Sequence, residues 1–552
     1  MDIHHAPDQD SAVQSPHESP LVVPDTALPV ESEKSTTQRV PFWVVMLSLS
    51  LLSFISALDV TILPPALPTI VEDIGGSTQF TWIANIFVLA SAALQPLFGQ
   101  LADLIGRKSP TIASIVLFIL GSGLAARARS SPLLIAGRGV QGIGAGGIYV
   151  LIDIICCDLV PLRERGKYLA IVQAGGGVAA ALGPVIGGVL AEHNWRWIFY
   201  INFPICALPL LAIAFFMDVH TGNGHLSIND IDYLGNLIFI PSTTAVLLGL
   251  VTGGVEYPWS SWRVIVPLVL GVGGWVAFAI QQFYATTPSL PLRLFSNRTS
   301  ATGFWLNFLS SVLLQTLGYF LPVYFQAVLG TTVSASGVAF LPITIGTLVF
   351  AALSGIIMSK SGHYKFLHFV AFASCTVGCG LLTTIGHGTP TVAWVFFEII
   401  LSIGLGVSVS TILPATLAAL PQSDVAAASA AFAFVRSFGF ALGVTVASVI
   451  FTNTIDKHLD MVSAELQSLL SHRKAYAFAS QVRNIARKFT AKEWNGVVAI
   501  YTTSLKTVWW FALGVSATSF VLTMLEKNVM LSTELNTEYG LRGKRTTREG
   551  VN

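Results

Sequence analysis

Charge is what this sequence most lacks. Only 11% of its 552 residues are Asp, Glu, Lys or Arg, against about a quarter in a soluble domain, so the chain cannot cover a water-facing surface of its own size. The formal net charge is +1, which gives no argument for nucleic acid, and no such partner is expected. Cysteine is also scarce: Cys156, Cys157, Cys206, Cys375 and Cys379 stand in or beside apolar runs, without the spacing of a zinc site or a redox pair. They read as small core residues, and no metal is expected. Missing too are G-x-S-x-G, H-E-x-x-H and any phosphate-cradling glycine loop, the signatures of serine hydrolases, zinc proteases and nucleotide-driven machines. No catalytic residue and no cofactor are therefore expected.

What is abundant is apolar. Hydrophobic residues make up 53% of the chain, with 48 glycines and 34 phenylalanines, and the mean hydropathy is +0.69. A bilayer core of about 30 Å needs about 20 apolar residues per helix, and every backbone polar group inside it must bond within that helix. Fourteen runs meet this length: 42–63, 81–101, 110–127, 132–155, 168–191, 197–217, 233–252, 264–283, 302–326, 336–358, 366–386, 392–416, 425–451 and 507–526. The expected class is thus an all-α polytopic membrane protein with lipid as its solvent. Residues 1–41, rich in Ser, Pro, Asp and Glu, lack an apolar run that could act as a cleavable signal and read as a disordered tail.

Basic residues orient the spans. Arg107, Lys108, Arg163, Arg165, Lys167, Arg293, Arg298, Lys360 and Lys365 fall in loops on the side of the N-terminus, as do Arg542, Lys544, Arg545 and Arg548 of the tail 527–552. Opposite loops carry Arg127, Arg129, Arg196 and Arg263. The positive-inside rule then puts both termini in the cytoplasm, and the long loop 452–506, despite eight Lys or Arg from Lys457 to Lys506, is kept outside because long loops are largely exempt. The plasma membrane is the expected location, with the vacuolar membrane as the alternative, and a monomer is expected.

A faint internal repeat organises the spans. Shifted by 260 positions, Gly144 falls on Gly404, Gly146 on Gly406, Pro161 on Pro421, Glu164 on Asp424 and Gly183 on Gly443; a shift of 256 superimposes Gly99 on Gly355 and Gly106 on Gly362. Spans two, four and five thus pair with ten, twelve and thirteen, as in transporters built from repeats. The expected architecture is an N-terminal six-helix bundle at 42–217, an inserted two-helix region at 218–301 and a C-terminal six-helix bundle at 302–526.

Three stretches carry chemistry. The loop Gly99-Gln-Leu-Ala-Asp103-Leu-Ile-Gly106-Arg107-Lys108 combines turn glycines with an acid and two bases, either a solvated turn or a latch whose pairings differ between conformations. Span four sets Arg138 beside Gly142, Gly144, Gly146 and Gly147 in apolar surroundings, where a charge must face a cavity or a partner or else snorkel outward. Span five reads Gly177-Val-Ala-Ala-Ala-Leu-Gly183-Pro184-Val-Ile-Gly187-Gly188, a bend with a flat packing face.

These stretches resemble, in turn, the G-x-x-x-D-x-x-G-[RK]-[RK] loop, the R-x-x-Q-G motif and the G-x-x-x-x-x-G-P-x-x-G-G antiporter motif of the major facilitator superfamily. Leu58-Asp59-Val60-Thr61-Ile62 with Ala66-Leu67-Pro68, Asn194-Trp195-Arg196-Trp197 through Asn202-Phe203-Pro204, and Leu321-Pro322-Val-Tyr324-Phe-Gln326 are similar to its fourteen-helix drug:H+ antiporter branch, best to fungal members that include exporters of secondary metabolites. The resemblance implies proton-coupled export of a small organic molecule, with Asp103 in a gate latch and Arg138 in proton coupling. It departs at Pro64 and Pro65, and at Ser359, which stands opposite Asp103 in the second half. The alternatives are uptake of a small solute such as an iron chelate, against which the Gly183-Pro184 motif counts, and a non-transporting sensor.

Further candidates come from polar residues inside spans. Gln173, Asn307, Gln315, Tyr319 and Tyr324 are candidates for the substrate cavity, and Glu398, which the repeat sets opposite Arg138, for a second proton site. Asp59 and Arg138 are expected to pair: counted along their helices at 1.5 Å per residue, they lie about 8 and 9 Å below the same boundary.

Overall fold

The computed structural model describes residues 39–74, 80–217, 230–254, 257–470, 475–479 and 490–533, which contain many helices and no β-strand. Of the expected tail 1–41, residues 1–38 lie outside the described residues, as do the basic residues beyond 533, while 39–41 already belong to the first helix rather than to a tail. Helices α1 (Arg39–Ile74), α2 (Phe80–Ala93), α3 (Gln95–Ile105), α4 (Lys108–Ala126), α5 (Ser131–Leu159), α6 (Arg165–Asn194), α7 (Trp197–Tyr200) and α8 (Asn202–Phe216) come first. The pair α9 (Tyr233–Thr252) and α10 (Trp262–Tyr284) follows. Then come α11 (Arg298–Val323), α12 (Val333–Ala339), α13 (Leu341–Ser361), α14 (Lys365–Leu382), α15 (Thr391–Leu417), α16 (Val425–Lys457), α17 (Ala464–Leu470), α18 (Ala475–Ala479) and α19 (Ala491–Thr523). Thirteen spans are long and apolar enough to cross a membrane, and α2 with α3, bent by 44° between them, supplies the fourteenth. Pro96 in the first turn of α3 explains that bend, since proline donates no backbone bond and its ring crowds the preceding turn.

Two ends differ from those hydropathy indicates. Helix α1 runs on through Pro64 to Ile74. Helix α19 starts at Ala491 rather than near 507, launched by a capping box in which the Thr490 side chain accepts from the Glu493 amide while the Glu493 carboxylate accepts from the Thr490 amide. Its 31-residue apolar stretch Glu493–Thr523 is about 46 Å long, well beyond a 30 Å bilayer core. The first turns therefore bury a single face, through Val497, Ile500, Tyr501 and Leu505, and a hydropathy window does not register one-sided burial.

Equivalent glycines of the repeat make equivalent approaches. A Cβ on Gly144 would meet the backbone of Ser114 and Phe118 in α4, and one on Gly404 the backbone of Ala371 and Cys375 in α14. Gly146 faces the Ser91 backbone of α2, and Gly406 the Thr347 backbone of α13. Gly183 faces Thr61 of α1, and Gly443 faces Val312 of α11. In each case the missing side chain is what lets two backbones close, and close packing rather than hydrophobic exclusion holds helices together in lipid.

Helix α1 packs along α6, α4 and α2 along α5, α11 along α16, and α14 and α13 along α15; the two sets meet where α3 crosses α16 and α13 crosses α6. Phe42, at the start of α1, lies edge-on to Tyr168 at the start of α6, and Ser532 beyond α19 accepts from the Arg163 amide just before α6. The first and last described residues thus share one face, termed proximal below; the opposite face is distal.

Candidate functional site

Asp59 of α1 and Arg138 of α5 meet inside the N-terminal set of helices as an ion pair through Arg138 Nη1, with 1% and 2% of their surfaces exposed. Glycine makes the meeting possible. At Gly121 a Cβ would strike the backbone nitrogen of Gln141, and at Gly142 one would strike the backbone of Phe87, so α4 and α2 press directly onto α5. Gln141 is thereby brought to Ser122, donating to its Oγ at 2.9 Å and to Asp59 Oδ1 at 2.6 Å, while its own Oε1 accepts from Arg138 at 2.8 Å. Asn202 of α8 donates to Asp59 Oδ1 at 3.3 Å and to Ser122 Oγ at 3.0 Å. The guanidinium stands 4.4 Å from the centroid of Phe87, and its Nε has no hydrogen-bond partner among the described residues. One carboxylate therefore accepts from three side chains of two other helices in a low-dielectric setting. A single added proton would remove the charge that organises all of them.

On the proximal face the loop after α3 forms a closed chain of charges. Gly106 has φ +82°, which favours glycine, and turns the chain so that Arg107 reaches Asp103 at 3.2 Å, Asp158 of α5 at 2.7 Å and the Ala102 carbonyl at 2.7 Å. Lys108 opens α4 and is partly exposed. Gly99 has no room for a side chain because Ala430 of α16 lies against it. The two sets of helices are joined here by polar contacts as well. Arg436 of α16 donates to Asp153 of α5 at 3.2 Å, and Gln95 of α3 donates to Ser437 of α16 at 3.1 Å. Arg163 donates to the Ser359 carbonyl at 2.6 Å and also to the Lys360 carbonyl. Where the second half has Ser359 in place of an aspartate, carbonyls at the end of α13 thus take the role of anion, in keeping with the negative end of a helix dipole.

The chain beyond α19 is strapped across the same face. Lys365 donates to the Glu526 carbonyl, Tyr364 to that of Lys527, and the Leu531 amide to Gly362. Burial pushes the Tyr364 phenol up to about 12, keeping it a donor. His368 Nδ1 lies 2.8 Å from the Glu526 carboxylate, with both side chains fully buried.

The span-five glycines divide between neighbours. Gly183 and Gly187 lie against Thr61 and Ile62 of α1, Gly177 against Leu348 of α13, and a Cβ on Gly188 would meet none of the described residues of other elements within 4 Å; Pro184 sits inside α6. Among the cavity candidates, Gln173 accepts from Ser53 at 3.2 Å. Asn307 is buried and donates to the Phe432 carbonyl at 2.8 Å, and Tyr324 is buried and donates to the Gly386 carbonyl at 3.0 Å, both ties between segments of the second half. Gln315 is half-buried and Tyr319 exposed. Glu398 is buried on α15, and among the described residues neither carboxyl oxygen has a hydrogen-bond partner of ordinary geometry; the Ile343 amide in the first turn of α13 is the neighbouring donor.

Asn202 stands within a motif, and Gln141 is the Q of the R-x-x-Q-G pattern, but the sequence assigns neither a role, nor does it assign one to Asp153, Asp158 or Arg436. A charged residue within an apolar span was the available signal for Asp153 and Arg436.

The chain and its fold have known relatives. The Major Facilitator Superfamily family model matches residues 49–444. The chain is similar to the MFS efflux transporter aclA of Aspergillus oryzae, 41% identical with 94% of this chain and 96% of that protein covered. It is similar to the MFS-type efflux pump LUC4 of Fusarium sp, at 40% with 94% of each covered, and to the efflux pump FUS6 of Gibberella fujikuroi, at 38% with 92% and 94% covered. Among solved structures, the human organic anion transporter MFSD10 shares the fold with a TM-score of 0.55 at 16% identity, covering 87% of this chain and 99% of that one. The proton:xylose symporter XylE does so with a TM-score of 0.52 at 13% identity, covering 84% and 100%. A multi-pass helical membrane protein with this match along most of its length is a transporter rather than an enzyme, and the chain belongs to the major facilitator superfamily.

Proposed function

We propose that this chain is a proton-coupled antiporter that exports a small organic molecule of the secondary-metabolite or drug class. The observation that carries the reading is the buried Asp59–Arg138–Gln141–Asn202 network, a charge cluster away from water next to the α1–α6 seam. The names of the relatives, efflux pumps of fungi, support the direction of transport. In this reading the deprotonated Asp59 holds Arg138, Gln141 and Asn202, and so ties α1 to α5 and α8. A proton arriving on Asp59 frees Arg138 and lets α1 slide against α6 along Gly183 and Gly187, and Glu398 serves as a second protonatable group in the other half. Cargo passes between the halves past Gln173, Gln315 and Tyr319, while Asn307 and Tyr324 keep the second half in shape. The proximal latch of Asp103, Arg107 and Asp158, with Asp153–Arg436 across the halves, holds the cytoplasmic side shut. Both termini face the cytoplasm, the protein works as a monomer, and the membrane is the plasma membrane.

The test uses purified protein in liposomes. Candidate metabolites are screened for movement driven by an imposed pH difference, with and without a protonophore and with and without ATP. The expected result is accumulation that needs the pH difference and ignores ATP; transport that requires ATP and ignores the pH difference would overturn the proposal.

A further inference from the structure

Three of the arginines that the positive-inside rule leaves on the distal side converge. Arg127 and Arg129 lie on the turn between α4 and α5, and Arg196 on the turn between α6 and α7. Arg196 Nη2 donates to the Ala128 carbonyl at 3.2 Å, which ties the two turns together. The three side chains, with Ala126 and Tyr200, line a cavity of about 460 Å³, within the size range of small-ligand sites.

Among the described residues, charge in this cavity is not balanced. Asp73 accepts from Trp195 Nε1 at 2.9 Å and from Arg196 Nη1 at 3.0 Å. Those two bonds hold its carboxyl below the usual carboxylate range, so it stays ionised and offsets one guanidinium. Arg196 is further fixed by stacking 4.3 Å over Trp195. Arg127 and Arg129 are exposed, and no carboxylate among the described residues forms an ion pair with either. Arg127 complements the negative end of α4, but Arg129 precedes the positive end of α5, where a cation is unfavourable. An anion seated among the three would relieve that repulsion.

The surroundings decide which anion. Tyr200, in ring contact with both Trp197 and Phe203, those two rings, and Leu124 and Leu133 at the ends of α4 and α5 are all exposed. Trp and Tyr with this exposure mark the depth of lipid headgroups. The cavity sits at the ends of α4, α7 and α8, which pack on α5 and α1, and so belongs to the N-terminal set of helices rather than to the seam between the two sets. We infer that the Arg127–Arg129–Arg196 cavity is a binding site for the phosphate group of a phospholipid in the distal leaflet. The guanidinium forks suit phosphate oxygens, Tyr200 and Trp197 flank the headgroup, and the acyl chains lie along the exposed faces of α4 and α8. This inference does not depend on the transport reading.

Lipid retention by the purified full-length protein tests it. Protein in detergent is titrated with phosphatidylglycerol, phosphatidylcholine or diacylglycerol, which lacks phosphate, and bound lipid is counted by native mass spectrometry. Wild type is expected to hold one more phospholipid than Arg127→Gln/Arg129→Gln, and no additional diacylglycerol. At about 1 kcal/mol for each basic residue near a lipid surface, the double variant is expected to bind that lipid roughly 30-fold more weakly. Arg127→Lys/Arg129→Lys, which keeps the charge, controls for folding and is expected to recover most of the affinity. Equal retention by wild type and the glutamine variant would overturn the site. If inorganic phosphate, in the absence of lipid, raises the melting temperature of wild type as much as phosphatidylglycerol does, the site takes free anions and the lipid assignment falls.

Discussion

Replacing Asp59 with asparagine keeps the side-chain shape and one acceptor but removes the charge, so it separates coupling from packing. Arg138 is 2% exposed, and Asp59 is its ion-pair partner among the described residues. Its remaining side-chain acceptor is Gln141 Oε1, and its Nε already lacks a bond. Leaving one member of a buried pair without the other costs about 3–5 kcal/mol, so Asp59→Asn should be measurably less heat-stable in detergent. Adding Arg138→Gln to Asp59→Asn should restore part of the loss, because no orphaned charge then remains. The functional consequence is larger. Each pH unit across the membrane is worth about 1.4 kcal/mol per proton, so a two-unit difference can drive an accumulation of roughly 100-fold at one proton per cargo molecule. Wild type in liposomes should approach that ratio. Asp59→Asn should equilibrate cargo to a ratio of about 1 while still exchanging labelled for unlabelled cargo. A variant that still concentrates cargo under the same pH difference, at wild-type abundance, would refute the reasoning.

Other outcomes follow from particular contacts. Gly183→Ala and Gly187→Ala should each lower thermal stability by about 1–3 kcal/mol through overpacking against Thr61 and Ile62, whereas Gly188→Ala, with open space around it, should not; an equal effect at all three would remove the α1–α6 seam as the cause. Asp153→Ala or Arg436→Ala should loosen the proximal closure, read as severalfold faster maleimide labelling of a cysteine placed at Ser437, against a low background because the five native cysteines are buried; unchanged labelling would argue that this pair closes nothing. His368→Ala should destabilise the protein by about 3 kcal/mol by stranding the buried Glu526 carboxylate, and His368→Ala/Glu526→Ala should regain part of it; melting curves of both variants decide.

Much of this molecule was written along the chain. Lipid demands helices of set length with satisfied backbones, so fourteen apolar runs could be read one by one, and glycines at Gly144, Gly146 and Gly183 announced both close packing and a repeat, because only a missing Cβ admits a backbone at that distance. The depth of Asp59 and Arg138 also followed from counting residues along two helices. Rotation about each helix axis did not, and contacts depend on it. Only the tertiary structure turned Gln141 and Asn202 onto the carboxylate that Arg138 meets, spent Asn307 and Tyr324 on neighbouring carbonyls, and matched Asp153 with Arg436 from spans far apart in sequence. It also moved the start of the last helix to Ala491, where one-sided burial leaves a hydropathy average low. Hydropathy and spacing are properties of one segment and survive in the sequence; which side chains meet depends on how several helices turn against each other, and packing alone fixes that.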